Sequence, residues 1–259
     1  MTGGGVVVSE WTKIRTVPST VWTLVLTSVL SVGLGYLLSV LSRGSLAGAS
    51  PERMVNFDPI FLAFYSLTLS QLALVVFGVL VVSGEYGSGT IRASLLAVPR
   101  RGLFYGGKML AATVPVLVMS VITVPATFFA TQAGLGPYGI SLTADGVPAA
   151  VVGACLYLPL ICLFAMGMAA MLRSTTRSLG ILLPLLFLGS QGLGNAPPVK
   201  AFTQYLPDQA GMLIMHLVGP QDDPRWARDY GPWTGVGILA LWAAAALIGG
   251  YLLLRRRDA

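Results

Sequence analysis

Six stretches of this 259-residue chain contain no Asp, Glu, Lys or Arg at all. They run Thr16 to Ser42, Pro59 to Gly84, Met109 to Ala144, Gly146 to Leu172, Ser178 to Val199 and Tyr230 to Leu254. Each exceeds the ~20 residues that a helix needs to cross the hydrocarbon core of a bilayer. The pattern predicts an all-α polytopic membrane protein, one transmembrane domain over residues 1–259. Its six spans fall at about 18–41, 59–83, 109–133, 148–172, 178–196 and 232–254, the third run overshooting into a loop near Gly134.

Composition agrees. Hydrophobic residues make 55% of the chain and charged residues 10%, against roughly 25% charged in a soluble domain. So apolar a chain cannot stay solvated as a disordered one. It also has too few charges to cover a soluble enzyme. Two cysteines supply no disulfide framework, and the single His216 gives little scope for a histidine metal site.

The net charge of +6 is read through its distribution. With both termini on one side, that side holds eleven of the basic residues and the other side five. The positive-inside rule then places both termini in the cytoplasm, at the plasma membrane, and explains the basic excess without nucleic acid. Ala47-Gly48-Ala49 imitates a signal-peptide cleavage site, but the apolar run before it is too long and Arg43 intervenes.

Catalytic patterns fail one by one. Gly102-Leu-Phe-Tyr-Gly-Gly107-Lys108-Met109 has phosphate-loop spacing, but Met109 stands where Ser or Thr must hold magnesium, and no strand precedes it. No G-x-S-x-G elbow occurs. The predicted spans carry no carboxylate, Lys, Arg or His, which weighs against a proton-coupled carrier. No catalytic, cofactor-binding or metal-binding residue is therefore expected.

Smaller features have packing explanations. Thr20, Thr23, Thr27 and Ser31 form a small polar stripe suited to helix–helix contact. Pro115, Pro125, Pro159 and Pro184 permit kinks. Cys155 and Cys162 lie about 10 Å apart in helical rise, too far for a disulfide. Residues 9–15 read either as a short interfacial helix with Trp11 and Ile14 on one face or as a simple charged anchor for span one. Gln71 is the bulkiest polar group deep in span two; with Phe187 and Gln191 it is a candidate for lining a substrate path.

Two soluble pieces remain, the cytoplasmic segment 84–108 and the outer segment 200–229. In the first, Thr90 through Val98 suit a short helix ended by Pro99, with Ile91, Leu95 and Val98 on one apolar face. Such a helix is too short to be stable alone and needs a surface to pack on. In the second, Pro207-Asp208 offers a helix start and Gly219-Pro220 a stop around an apolar patch. That patch is too short to span and predicts a re-entrant helix over 207–219 before the last span, with His216 an interfacial polar residue.

The stretch Gly84-Glu85-Tyr86-Gly87-Ser88-Gly89-Thr90-Ile91-Arg92, followed by Pro99-Arg100-Arg101, resembles the G-E-x-x-x-G-T-I-R…P-R-R segment of ABC-2-type transporter permeases, notably the actinobacterial kind. Ser9-Glu10-Trp11-Thr12-Lys13-Ile14-Arg15 resembles the start of the same proteins. The resemblance implies a permease subunit of an ATP-driven exporter, with segment 84–101 holding the helix that docks into a separate ATP-binding subunit. Glu85, Gly89, Thr90, Ile91 and Arg92 belong to the matched motif, and Leu95 and Leu96 lie beside it. Ile91 and Leu95 are then expected to bury against the ATPase and Arg92 to meet acidic groups at its rim. The resemblance further implies two ATPase copies, which bring ATP and magnesium, and a second permease subunit, identical or not. Charge-free spans suit an amphipathic or hydrophobic substrate. The alternatives are a channel or secondary carrier working without ATP, or a non-transporting membrane scaffold.

Overall fold

The computed structural model describes residues 3–192, 195–196 and 199–256. These residues form helices and connecting turns, without strands. In order the α-helices are α1 (Gly3–Thr16), α2 (Pro18–Leu46), α3 (Pro51–Val55), α4 (Pro59–Tyr65), α5 (Leu67–Ser88), α6 (Thr90–Ala97), α7 (Arg101–Leu135), α8 (Val147–Leu172), α9 (Thr175–Ser190), α10 (Lys200–Thr203), α11 (Pro207–Met212) and α12 (Pro232–Arg256).

Five helical stretches are long and apolar enough to cross a membrane: Pro18–Leu46, Pro59–Ser88, Arg101–Tyr138, Val147–Leu172 and Pro232–Arg256. The second joins α4 to α5 through a single turn residue, Ser66. Asp58 starts it by accepting hydrogen bonds from the Ile60 and Phe61 backbone amides, with Pro59 at the first helical position. The fifth predicted span, 178–196, is corrected in its bounds. Its helix α9 has 16 residues, ~24 Å of rise against a core of ~30 Å. It begins early because the Ser174 hydroxyl caps the Arg177 amide. It ends at Ser190, and Gly192 then turns at φ 102°, a conformation open to glycine. Residues 193–194, within the predicted span, lie outside the described residues.

The third span also differs from expectation. Helix α7 begins at Arg101, eight residues before the predicted boundary, so Gly102–Lys108 is helix and not loop. Arg100, Phe104 and the apolar residues after them repeat at helical spacing, and nothing between Arg101 and Met109 breaks the backbone ladder.

Small residues bring the helices together. Thr27, Ser31, Gly35 and Ser39 of α2 are buried, and the Ser31 hydroxyl donates to Ser70 Oγ of α5 at 2.8 Å. Ser28 shares a 2.9 Å hydrogen bond with Thr123 of α7. A Cβ at Gly134 of α7 would fall 1.9 Å from Ser39 Oγ, and one at Gly167 of α8 only 2.5 Å from the backbone of Ala246 in α12. Close approach of this kind substitutes for a hydrophobic force, which lipid does not provide between helices. The small polar stripe of the first span therefore serves packing. Cys155 and Cys162 are free thiols in the same kind of contact.

Basic residues at one end of the bundle also have structural partners. Arg101 Nη1 donates to the Leu254 carbonyl at 2.7 Å, and Arg173 Nη2 to the Leu253 carbonyl at 2.9 Å. Both satisfy orphan carbonyls at the C-terminus of α12, where the helix dipole favours cations.

The predicted helix over 207–219 is corrected in length. Helix α11 spans Pro207–Met212, a 3-10 turn covers Leu213–Met215, and His216 ends it with φ 61°. Every residue from Pro207 to Met215 is buried, against α8, α9 and α12. His216 Nδ1 lies 2.7 Å from Asp58 Oδ2 on the exposed side. Burial tends to raise the Asp58 pKa, but His216 and the two backbone amides outweigh it and hold it below the ordinary value.

Candidate functional site

The short helix α6 hangs from α5 by one residue. Gly89 adopts φ 73°, so it can close α5 and open α6 in a single left-handed step that a side chain would strain. The Thr90 and Ser88 hydroxyls share a 2.9 Å hydrogen bond across this hinge. Pro99 follows the last turn, and α7 begins two residues later.

Beneath the hinge stands a cluster of four charges drawn from three helices. Lys13 of α1 donates to Glu10 Oε1 at 2.6 Å, to Glu85 Oε1 at 2.7 Å and to Ser94 Oγ of α6 at 3.1 Å. Lys108 of α7 pairs with Glu10 Oε2 and lies 3.0 Å from Glu85 Oε1. It also stands 5.3 Å from the centre of the Phe104 ring. Glu10 and Lys108 are 3% exposed and Glu85 8%, so three of the four charges are out of water. Burial works to lower the Lys13 pKa, but its hydrogen bonds to Glu10 and Glu85 hold it above the ordinary lysine value. A cluster this dry repays desolvation only with close geometry, and it fixes α1, α5 and α7 in one register. Through Ser94 the register extends to α6.

The structure brings the predicted residues of segment 84–108 together, with one correction. Ile91 was expected to bury against a partner; the chain's own core buries it, and Leu95 packs partly onto that core. Leu96 points the other way and is 82% exposed. The hydrophobic spacing of Ile91, Leu95 and Val98 identifies the inward face, because a helix this short needs its own spans to hold it. Arg92 lies on the exposed side.

Gln71, Phe187 and Gln191 are not brought together. Gln71 is fully buried, donating to the Thr68 carbonyl at 3.0 Å and accepting from the Tyr157 hydroxyl of α8. Phe187 lines an open apolar groove of about 610 Å³ with Leu26, Leu30, Leu72 and Leu183, which Gln71 does not reach. Gln191 is exposed and accepts from the Tyr65 hydroxyl at 3.3 Å.

Sequence reasoning missed Lys13 and Lys108 as partners of Glu85, and Glu10 as the second acid they share. The readable signal was the Glu10–Lys13 spacing of three on one helix, together with Glu85 and Lys108 at the edges of two spans. It also corrects the N-terminal helix, whose buried face is Val6, Glu10 and Ile14, while Trp11 is exposed.

A second buried ionisable group lies in the segment 200–229, which the sequence reads as a soluble piece. Asp208 is 0% exposed, pressed against Gly189 of α9. Its Oδ2 accepts from Gln209 at 3.2 Å, and Oδ1 finds no hydrogen-bond partner among the described residues. Burial pushes its pKa up to about 6, against the opposing pull of Gln209 and Arg228. Because the folded value is raised, the stability tied to the protonated acid is full below about pH 4 and is lost as pH rises through about 6. Two units correspond to roughly 3 kcal/mol. Asp208→Asn should therefore raise the thermal midpoint by about 6–12 °C at pH 7.5 and leave it unchanged at pH 4, read by thermal unfolding in detergent. An equal shift at both pH values would reject a charge-based cost.

Among the described residues no group of three or more His, Cys, Asp or Glu stands together as a metal site. No family model matches the chain, and no curated protein sequence matches it.

Proposed function

We propose that this chain is the membrane subunit of an ATP-driven exporter, working with a separate ATP-binding subunit that supplies ATP and magnesium. The observation that carries the reading is α6, a helix hinged at Gly89, keyed through Ser94 and Lys13 to the bases of three helices, with Leu96 turned outward. A large apolar side chain on a tethered helix at the basic end of the bundle suits a docking contact. ATP binding would draw two ATP-binding subunits together, and α6 would pass that movement through the charge cluster into α5 and α7. Transport follows if the substrate binds the inward and outward states differently.

In this reading α9 completes a sixth span with the turn after it, and both termini, α6 and the charge cluster face the cytoplasm at the plasma membrane. The eleven-to-five basic asymmetry supports that orientation. The buried segment 207–215 is a re-entrant element at the outer face, closing the exit. Two copies of the ATP-binding subunit pair with this chain and a second permease subunit. The substrate is an amphipathic or hydrophobic molecule, as the apolar groove beside Phe187 suggests.

A photoreactive amino acid at Leu96 tests the docking. It should crosslink to an ATP-binding subunit in native membranes, whereas the same group at Trp22, 69% exposed on α2, should crosslink only to lipid. Crosslinking to the subunit from both positions, or from neither, would count against α6 as the docking element.

A further inference from the structure

Between α1, the start of α2 and the end of α5 lies a cavity of about 430 Å³, within the ~300–1,000 Å³ range of small-molecule sites. One wall is apolar, formed by Ile14, Val17, Leu80 and Val81. The other is the charge cluster, to which Glu10, Lys13, Glu85 and Lys108 all contribute. It opens beside the ends of two membrane-length helices, so an amphiphile reaches it without leaving the interface.

Counting the carboxylate oxygens of the cluster leaves one acceptor without a donor. Lys13 spends its three donors on Glu10, Glu85 and Ser94. Both oxygens of Glu10 are engaged, one by Lys13 and one by Lys108. Glu85 Oε1 faces both ammonium groups, while Glu85 Oε2 is buried with no hydrogen-bond partner among the described residues. A buried acceptor without a donor is costly, and something that donates to it would be bound for that reason.

Charge decides what that donor is. Two glutamates and two lysines already cancel, so an ionised head would bring net charge beside three groups, Glu10, Glu85 and Lys108, that are themselves out of water. An ammonium head would meet Lys13 and Lys108 as well as the glutamates, and a carboxylate head the glutamates as well as the lysines, so neither gains the net attraction that would repay its own desolvation. A neutral N–H or O–H meets neither obstacle.

We propose that this cavity binds an amphiphile with a neutral hydrogen-bond donor head, a hydroxyl or primary amide, which donates to Glu85 Oε2 while its apolar body lies along Ile14, Val17, Leu80 and Val81. The site belongs to the isolated chain and needs no ATP-binding subunit, so its test is independent of the exporter reading.

The experiment uses the full chain in phosphatidylcholine nanodiscs with four ten-carbon probes, each carrying a diazirine in mid-chain. Their heads are alcohol, primary amide, ammonium and carboxylate. Labelled positions are located by peptide mass spectrometry. The alcohol and amide should label residues 14–20 and 80–85 at least fivefold more than the two ionised probes, and excess 1-decanol should compete. A Cβ at Gly84, on the cavity wall, meets no atom within 4 Å, so Gly84→Leu has room to enter and narrows the cavity while leaving all four charged side chains in the sequence. It should cut labelling at least fivefold. Equal labelling by all four heads, which is what simple partition into lipid gives, would overturn the proposal. So would undiminished labelling in Gly84→Leu, or labelling of the unaltered chain that 1-decanol does not reduce.

Discussion

Lys108→Met should lower the thermal unfolding midpoint by about 10 °C in detergent. The substitution keeps an unbranched apolar stem and removes the ammonium group with its charge and its hydrogen bonds. Glu10 then loses the partner of its Oε2, and a net negative charge remains among residues 3–8% exposed. Breaking one member of a buried ion pair costs about 3–5 kcal/mol, because the remaining charge is left uncompensated. For a chain of this size each kcal/mol moves the midpoint by roughly 2–4 °C. Glu10→Gln combined with Lys108→Gln restores neutrality and should recover at least half of the loss, the coupling expected of groups in contact. A midpoint for Lys108→Met within about 2 °C of the unaltered protein would show that the cluster does not lock α1 to α7.

Leu96→Asp should leave folding and membrane insertion intact and abolish the work that the exporter reading assigns to an ATP-binding subunit. Leu96 is 82% exposed, so a carboxylate there costs the isolated chain nothing in burial. In a docked complex the same carboxylate would be buried in an apolar contact without a partner. A loss of at least tenfold in ATP-binding subunit retained on the purified chain is the expected result, since tenfold needs only about 1.4 kcal/mol. Ile91→Asp is the informative contrast. Ile91 is buried in the chain's own core, so that change should unfold α6 and lower stability, not docking alone. Full retention of the subunit by Leu96→Asp would remove α6 from the interface.

The membrane helices were legible because a charge-free run is a property of consecutive residues. Helices α2, α8 and α12 follow their runs, and Pro99 and Gly89 mark the limits of α6 as turn chemistry dictates. The charge cluster was not legible as a unit, because the pairs that tie α1 to α5 and to α7 join residues 72 and 98 positions apart. A charge at a span boundary reads as a solvated flank, and so Lys108 and Glu85 were set outside the spans they extend. The same rule misplaced Asp208, whose burial comes from Gly189 of α9 and from the short helix it sits on. Trp11 and Ile14 share a face in sequence, yet the packed face of α1 follows Val6, Glu10 and Ile14, because paired glutamate can occupy an interior that tryptophan leaves for the interface. The length of α9 depended on the turn at Gly192, which an uninterrupted apolar run does not announce.

The measurement that bears most directly on the exporter reading is magnesium-dependent ATP hydrolysis in vesicles that hold this chain together with the ATP-binding subunit crosslinked at Leu96. The account predicts vanadate-sensitive hydrolysis accompanied by movement of a fluorescent, lipid-like amphiphile into the lumen of inside-out vesicles. Both should be lost in Leu96→Asp, and the purified chain alone should hydrolyse nothing. Hydrolysis by the isolated chain, or amphiphile movement that proceeds equally without ATP or without the second subunit, would contradict it.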